Sequence, residues 1–245
     1  MGPDPSAMQN IVDRPHPSTI RPRDAATLIL VRRDTGTPRV LMGKRHEAHK
    51  FMPGKFVFPG GRVDAGDCRI TAPHPLPTDV CSKLISAMKG NPSNARATGI
   101  ALAAVRETFE EVGLIIGQPG PAPRTRNSAW QQFYATGHVP DLRGLRMLAR
   151  AITPPGRPRR FDTRFFMADA ATLANMDAPV VPETDELLTP HWVSIDEALQ
   201  LDLPWITGQI LGRLKSALEN PDPFGVQRSV SYQYKRGKNW KYETL

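Results

Sequence analysis

The chain has 245 residues, a formal net charge of +8, and 40% hydrophobic and 23% charged residues. That length suits one large domain or one domain with extensions, and the hydrophobic share is enough for a core, which excludes a wholly disordered chain. No apolar run is long enough for a signal peptide or a membrane span, so no membrane partner is expected, and two cysteines that read as free thiols suit a cytoplasmic protein.

Residues 1–21 read as an irregular proline-rich arm. Ala25 to Val31 is β-rich and reads as a buried strand, and Arg39 to Gly43 reads as a second. Asp34 to Pro38 between them has turn chemistry, so the pair is expected to form a hairpin. The paired Gly60 and Gly61 follow another apolar run, where the missing Cβ atoms permit a tight turn that exposes backbone groups. Cys68 and Cys81 lack the spacing of paired metal ligands and read as free thiols. Thr78 to Lys89 predicts a short amphipathic helix through Val80, Cys81, Leu84, Ile85 and Met88, set between proline-rich legs. Gly99 to Val112 predicts a longer helix that Gly113 ends in a left-handed cap.

Ser128 to Tyr134 follows as a helix anchored by Trp130 and Phe133. Leu145 to Thr153 and Phe165 to Ala168 read as strands. Between them Arg157, Arg159, Arg160 and Arg164 make either a basic hairpin facing a bound anion or a solvated edge. His191 to Val193 reads as a strand, Ser194 and Glu197 as a capping box, and Pro204 opens a final helix carrying Ile206, Ile210, Leu214 and Leu218. Residues 221–245 interleave Lys and Arg with Tyr and Trp. Such a tail can stack on single-stranded nucleic acid, but the stronger expectation is that it covers its own domain or a homodimer partner.

The chemistry concentrates on the helix before Gly113. At about 100° per residue, Glu107, Glu110 and Glu111 share one arc, and Ala101, Leu102, Val105, Thr108, Phe109 and Val112 lie opposite. Grouped carboxylates repel unless a cation joins them, and hard divalent cations take such oxygen ligands. Arg106, four residues before Glu110, can hold that carboxylate. Ala103 and Ala104 are expected to leave space beside the arc. A solvated acidic face would need the same residues, so the upstream sequence decides.

Gly61, Asp67, Arg106, Glu107, Glu110, Glu111, Gly113 and Leu114 resemble, position by position, the Nudix box of hydrolases that cleave nucleoside diphosphates linked to another group. This chain departs in having Asp67 where the family usually has Glu, Thr108 where it has an aliphatic residue, and Cys68 to Val105 in place of a much shorter spacer. Loop closure costs only about 0.6 kcal/mol per doubling of length, so the gap need not break a site. Arg45, Gly54 and Phe58 to Gly61 also resemble the upstream signature of the coenzyme A diphosphatase branch, with Gly43, His46 and Lys50 as variants within it. Phe51 to Pro53 and Pro158 to Phe166, together with the interrupted box, look closer still to the peroxisomal mammalian subgroup.

The resemblance implies an α/β fold, a Nudix-type α/β/α sandwich with a mixed sheet between helices over residues 22–220, with an insertion at 68–99 inside the box and a basic, aromatic extension at 221–245. It implies Mg²⁺ or Mn²⁺ on Glu107, Glu110, Glu111 and the Gly60 carbonyl, with Glu107 and Arg106 as catalytic candidates. One more carboxylate is expected from Glu183, Glu186 or Asp67. Arg45, His46, Lys50, Gly61, Arg159 and Arg160 are the substrate-binding candidates. The implied reaction cleaves the diphosphate of coenzyme A or its thioesters into 3′,5′-ADP and a 4′-phosphopantetheine product. NADH, a nucleotide sugar, a dinucleoside polyphosphate, or a binding module without turnover are the alternatives.

Overall fold

The structure is a computed structural model that describes residues 20–48, 52–86, 88–180 and 187–245. Its centre is strand β1 (Arg23–Arg32), which pairs in parallel with β8 (Phe161–Asp169) from Arg23 opposite Phe161 to Val31 opposite Asp169. On its other side β1 turns through Asp34 to Pro38 into the antiparallel β2 (Arg39–Arg45), the hairpin expected from the sequence. Alternate side chains of β1 enter cores on both faces, which explains why Leu28 to Val31 are apolar without a break. Ala26, Leu28 and Leu30 enter one core, and Ile29 and Val31 enter a second on the opposite face.

After β2 come two short strands, β3 (Phe56–Val57) on β2 and β4 (Gly60–Arg62) on β1. Helices α1 (Thr78–Ser86) and α2 (Asn94–Val112) follow, then a small ribbon of β5 (Gly117–Pro119) and β6 (His138–Pro140) flanking α3 (Ser128–Ala135). β7 (Arg146–Ile152) pairs with β8, and β9 (Leu187–Ser194) pairs with β2. The short α4 (Ile195–Ala198) is capped by the reciprocal Ser194 and Glu197 bonds, and α5 (Trp205–Leu218) begins after Pro204. β10 (Ser231–Arg236) and β11 (Asn239–Thr244) close the described chain.

The sheet order is β11, β10, β7, β8, β1, β2, β3, with β4 added to β1 and β9 to β2. Helices α1, α2 and α3 cover one face, and α4 and α5 cover the other. This is the α/β/α sandwich with a mixed sheet. No helix among the described residues is long and apolar enough to cross a membrane.

Three elements depart from the sequence reading. α2 starts at Asn94 rather than Gly99, because Ser93 adopts an extended conformation and its side chain accepts the Arg96 N–H at 3.2 Å. The inserted loop therefore ends near residue 93. β8 starts at Phe161 rather than Phe165, so Arg164 lies within a strand and is 1% exposed. It does not belong to a solvated basic hairpin. The basic, aromatic tail is a two-stranded hairpin whose first strand runs parallel to β7 and buries Tyr232 and Gln233. Cys68 and Cys81 are free thiols, and burial pushes both thiols above their ordinary pKa.

Candidate active site

Helix α2 packs against β1, β4, α1, α3 and the 3₁₀ turn Asp67–Arg69. Its C-terminal end stops at Gly113, which takes φ 71° and returns its N–H to the Phe109 carbonyl at 2.9 Å. Thr108, the unusual residue in the box, is fully buried and donates its hydroxyl to the Ala104 carbonyl at 2.8 Å. That bond satisfies the hydroxyl inside the helix, so Thr fits where an aliphatic residue would. Ala103 and Ala104 are also fully buried. The space expected beside the acidic arc is therefore packed, and small side chains there permit close approach of neighbouring elements.

β4 brings the glycine turn against the acidic face. Gly60 sits at φ 154°, and a Cβ there would lie 2.5 Å from the Ala26 carbonyl oxygen and 2.6 Å from the Thr27 Cα. Both obstacles are backbone, so only glycine fits. The group that Gly60 presents to the helix is its N–H, which donates to Glu111 Oε2 at 2.9 Å. At Gly61 a Cβ would lie 2.4 Å from the Glu107 carboxyl carbon. The turn is thus moulded to two of the three glutamates.

Arg106 organises the rest. It is 5% exposed. Its Nε and Nη2 donate to Asp67 Oδ1 and Oδ2 at 2.9 and 3.0 Å, and Nη2 also reaches the Arg62 carbonyl at 3.1 Å. Nη1 donates to Glu107 Oε1 at 2.9 Å and to Glu110 Oε2 at 2.7 Å. Burial works against the guanidinium charge, but the Asp67 hydrogen bonds and the charges of Glu107, Asp67 and Glu110 outweigh it and raise the Arg106 pKa above its ordinary value.

The 3₁₀ turn at Asp67 resolves how a distant acid reaches this helix. Asp67 is wholly buried. Besides Arg106 it accepts Trp130 Nε1 at 2.9 Å and the Asp64 N–H at 2.9 Å. Four donors on two carboxylate oxygens occupy its acceptor positions, so Asp67 anchors Arg106 and is not the additional carboxylate for a cation. Helix α3 supports the same turn: Asn127 caps it, and the Asn127 amide lies where a Gly66 Cβ would come within 2.4 Å. Sequence reading missed the part played by Trp130. Its only signal was an aromatic residue near the start of an amphipathic helix, and it was assigned to the core.

A second network behind the site was also missed. Asp24 on β1 takes Arg96 of α2 at 2.7 Å and Arg164 of β8 at 2.7 Å. Burial favours its neutral form, but the hydrogen bonds and charges of Arg96 and Arg164 overcome this and hold its carboxyl below the usual carboxylate range. Arg150 of β7 pairs with Asp162 at 2.6 Å, and Asp162 also lies 3.5 Å from Arg164. These pairs tie α2 to the middle of the sheet.

The remaining candidates divide. Arg45 and His46 sit at the end of β2 and just after it; the Ala48 N–H donates to His46 Nδ1 at 3.0 Å. Arg159 is exposed at the β7–β8 turn, while Arg160 donates to the Thr153 and Ile20 carbonyls at 3.0 and 2.7 Å. Lys50, Glu183 and Glu186 lie outside the described residues. Cavities of about 720 and 550 Å³ are present elsewhere, and their linings include none of the candidate residues.

Among the described residues, no three His, Cys, Asp or Glu side chains form a ready metal cluster. Glu107 and Glu110 are turned onto Arg106, and Glu111 onto Gly60. The donor chemistry still fits a hard divalent cation. Three carboxylates, Asp67, Glu107 and Glu110, meet a single guanidinium, and the buried Glu111 beside them bonds to the Gly60 N–H, leaving an excess of negative oxygen that such a cation would balance.

The fold and this arrangement are similar to those of Nudix hydrolases. A Nudix hydrolase from Alicyclobacillus acidocaldarius is similar to the chain with a TM-score of 0.59 and 26% identity, over 79% of this chain and 91% of that one. The chain is also similar to the acyl-coenzyme A diphosphatase of Homo sapiens, at 28% identity over 76% of this chain and 64% of the relative. The acyl-coenzyme A diphosphatase of Gallus gallus is 26% identical over 66% of this chain and 55% of its own length. A putative nudix hydrolase 7 of Caenorhabditis elegans is 29% identical over 72% of this chain and 54% of its own length. The chain thus spans between about half and two thirds of these curated relatives. No family model matches it.

Proposed function

We propose that the chain hydrolyses the diphosphate linkage of coenzyme A or acyl-coenzyme A, giving 3′,5′-ADP and the corresponding 4′-phosphopantetheine. The observation that carries this reading is the acidic face of α2, assembled against Gly60 and Gly61 despite the long insertion, in a chain similar to acyl-coenzyme A diphosphatases. Glu107, Glu110 and Glu111 would hold Mg²⁺ or Mn²⁺; the Gly60 carbonyl, expected with them from the sequence, is not the group that Gly60 turns to the helix. Such a bound cation neutralises diphosphate oxygens and lowers the pKa of a coordinated water.

The chain's own groups do the remaining work. Arg106 holds Glu107 and Glu110 in position and is a positioning residue. Glu107, bonded to Arg106, either joins the cation or takes the proton of the attacking water. Arg45 and Lys50 pair with the 3′-phosphate, Arg in a bidentate manner and Lys as a point charge, with His46 beside them. Arg159 and Arg160 add positive potential, and Glu183 or Glu186 supplies the additional carboxylate. With two free cysteines, the enzyme suits a reducing compartment such as the cytoplasm.

The test is incubation of the purified chain with Mg²⁺ or Mn²⁺ and coenzyme A, an acyl-coenzyme A, NADH, a nucleotide sugar and a dinucleoside polyphosphate, read by mass spectrometry. The expected products are 3′,5′-ADP with phosphopantetheine species. Preferred cleavage of a substrate without a 3′-phosphate would replace the substrate assignment, and intact substrates throughout would favour a binding module.

A further inference from the structure

We propose that β11 is a self-association edge, which pairs antiparallel with β11 of a second copy of this chain about a two-fold axis through Tyr242. Among the described residues β11 ends the sheet, bonded to β10 alone, and all six of its residues are exposed. Such an edge is a template for another strand.

The backbone limits how two copies can meet. Val230 and Leu245 exchange both N–H···O bonds, at 3.0 and 2.8 Å, and the register continues from Ser231 opposite Thr244 to Arg236 opposite Asn239. The alternation of an antiparallel ladder then directs Glu243, Lys241 and Asn239 toward β10 and turns the N–H and C=O groups of Thr244, Tyr242 and Trp240 outward. Two identical edges bond only when outward residues face outward residues. Near the strand centre this permits an axis at Lys241, Tyr242 or Glu243.

Charge selects among them. An axis at Lys241 sets Lys against Lys, and one at Glu243 sets Glu against Glu. An axis at Tyr242 sets Lys241 opposite Glu243 of the copy, twice, and Trp240 opposite Thr244. Opposite charges across strands stabilise and like charges destabilise, so the Tyr242 register is the favoured one. Lys at an edge ordinarily guards against pairing, and Glu243 two residues later converts that guard into a selector for a copy in this register. Glu243 also accepts the Tyr234 hydroxyl at 2.7 Å, which leaves its carboxylate capacity for a lysine.

The aromatic residues agree. Trp240 and Tyr242 share one face of the strand, and Trp240 packs on Trp205 with ring centroids 5.4 Å apart. The three are 39%, 59% and 54% exposed. Joining two edges brings both patches together around the axis, the kind of aromatic surface that interfaces use.

Sedimentation velocity on the full chain across low to high micromolar concentrations tests this. The wild type is expected to dimerise, and Lys241→Glu and Glu243→Lys are each expected to weaken the dimer about tenfold, since like charges then meet on both sides of the axis. An equimolar mixture of the two variants, and the double variant, should regain association. Both positions are exposed and the Glu243 variant loses only the exposed Tyr234 hydrogen bond, so both variants should stay folded at the assay temperature. A wild type that stays monomeric, as when another segment or protein covers the edge, overturns the proposal. So does undiminished association of the single variants, or a mixture and double variant that fail to recover.

Discussion

Replacing Asp67 by Asn probes how the acidic face is held. Asp67 is wholly buried and receives Arg106 through Nε at 2.9 Å and Nη2 at 3.0 Å, Trp130 Nε1 at 2.9 Å and the Asp64 N–H at 2.9 Å. Asn removes the charge and keeps one acceptor oxygen, so at least one Arg106 N–H then faces an amide N–H. Breaking a buried pair by removing one partner costs about 3–5 kcal/mol. Arg106 retains Glu107 at 2.9 Å and Glu110 at 2.7 Å, which places the cost at the lower end, about 3 kcal/mol. For a chain of this size that corresponds to roughly 6–12 °C in the unfolding midpoint. Urea and thermal unfolding of the wild type and Asp67→Asn measure it directly. A loss below about 1 kcal/mol would refute the role of Asp67 as the anchor of Arg106. Turnover should fall more than about tenfold where the variant is still folded, because displacement of a positioned group by about 1 Å can cost 100-fold.

The two glycines of the turn should separate stability from activity. Gly61→Ala meets the far end of the flexible Glu107 side chain, so the midpoint should move little while turnover drops on the order of 100-fold; Gly60→Ala meets backbone and should destabilise the fold, and equal midpoints for the two would contradict this. Glu110→Gln and Glu111→Gln should reduce turnover at least about 100-fold, far more than they alter urea stability, and near-normal hydrolysis by either purified variant would remove them from the site. Asp24 has its folded pKa depressed, because Arg96 and Arg164 outweigh burial. Its ionisation therefore contributes stability above the ordinary carboxylate pKa, and that contribution is lost as pH falls through the folded value. Asp24→Asn should flatten the acid limb of the stability profile, and an unchanged limb would show that the Asp24 charge is not coupled to folding.

The elements with strong periodicity were readable in advance. The β-rich run Ala25 to Val31 matched a strand with cores on both faces, and Gly113 ended α2 in the left-handed region as its position required. The Glu107, Glu110 and Glu111 arc was legible because helical spacing is local. Contacts between distant residues were not. Nothing in the chain order links Asp67 to Trp130, 63 positions later, since that bond depends on how α3 packs. Arg164 read as one member of a basic run, yet Asp24 on a neighbouring strand gives it a buried partner. The first turns of α2 were hidden because Gly99 suggested a helix start, whereas Gly99 is needed there for close packing: a Cβ would lie 2.5 Å from Cys68 Sγ.

The chain leaves the flank of α2 at Cys68 and comes back to the same place at Gly99, while Asp67 and Arg106 clasp about two turns further along the helix. The residues in between form a detour that begins and ends at one address, so its length can change with little effect on the carboxylates it bypasses. A pattern that counts residues separates such a chain from its relatives, whereas a pattern written as touching residues would join them.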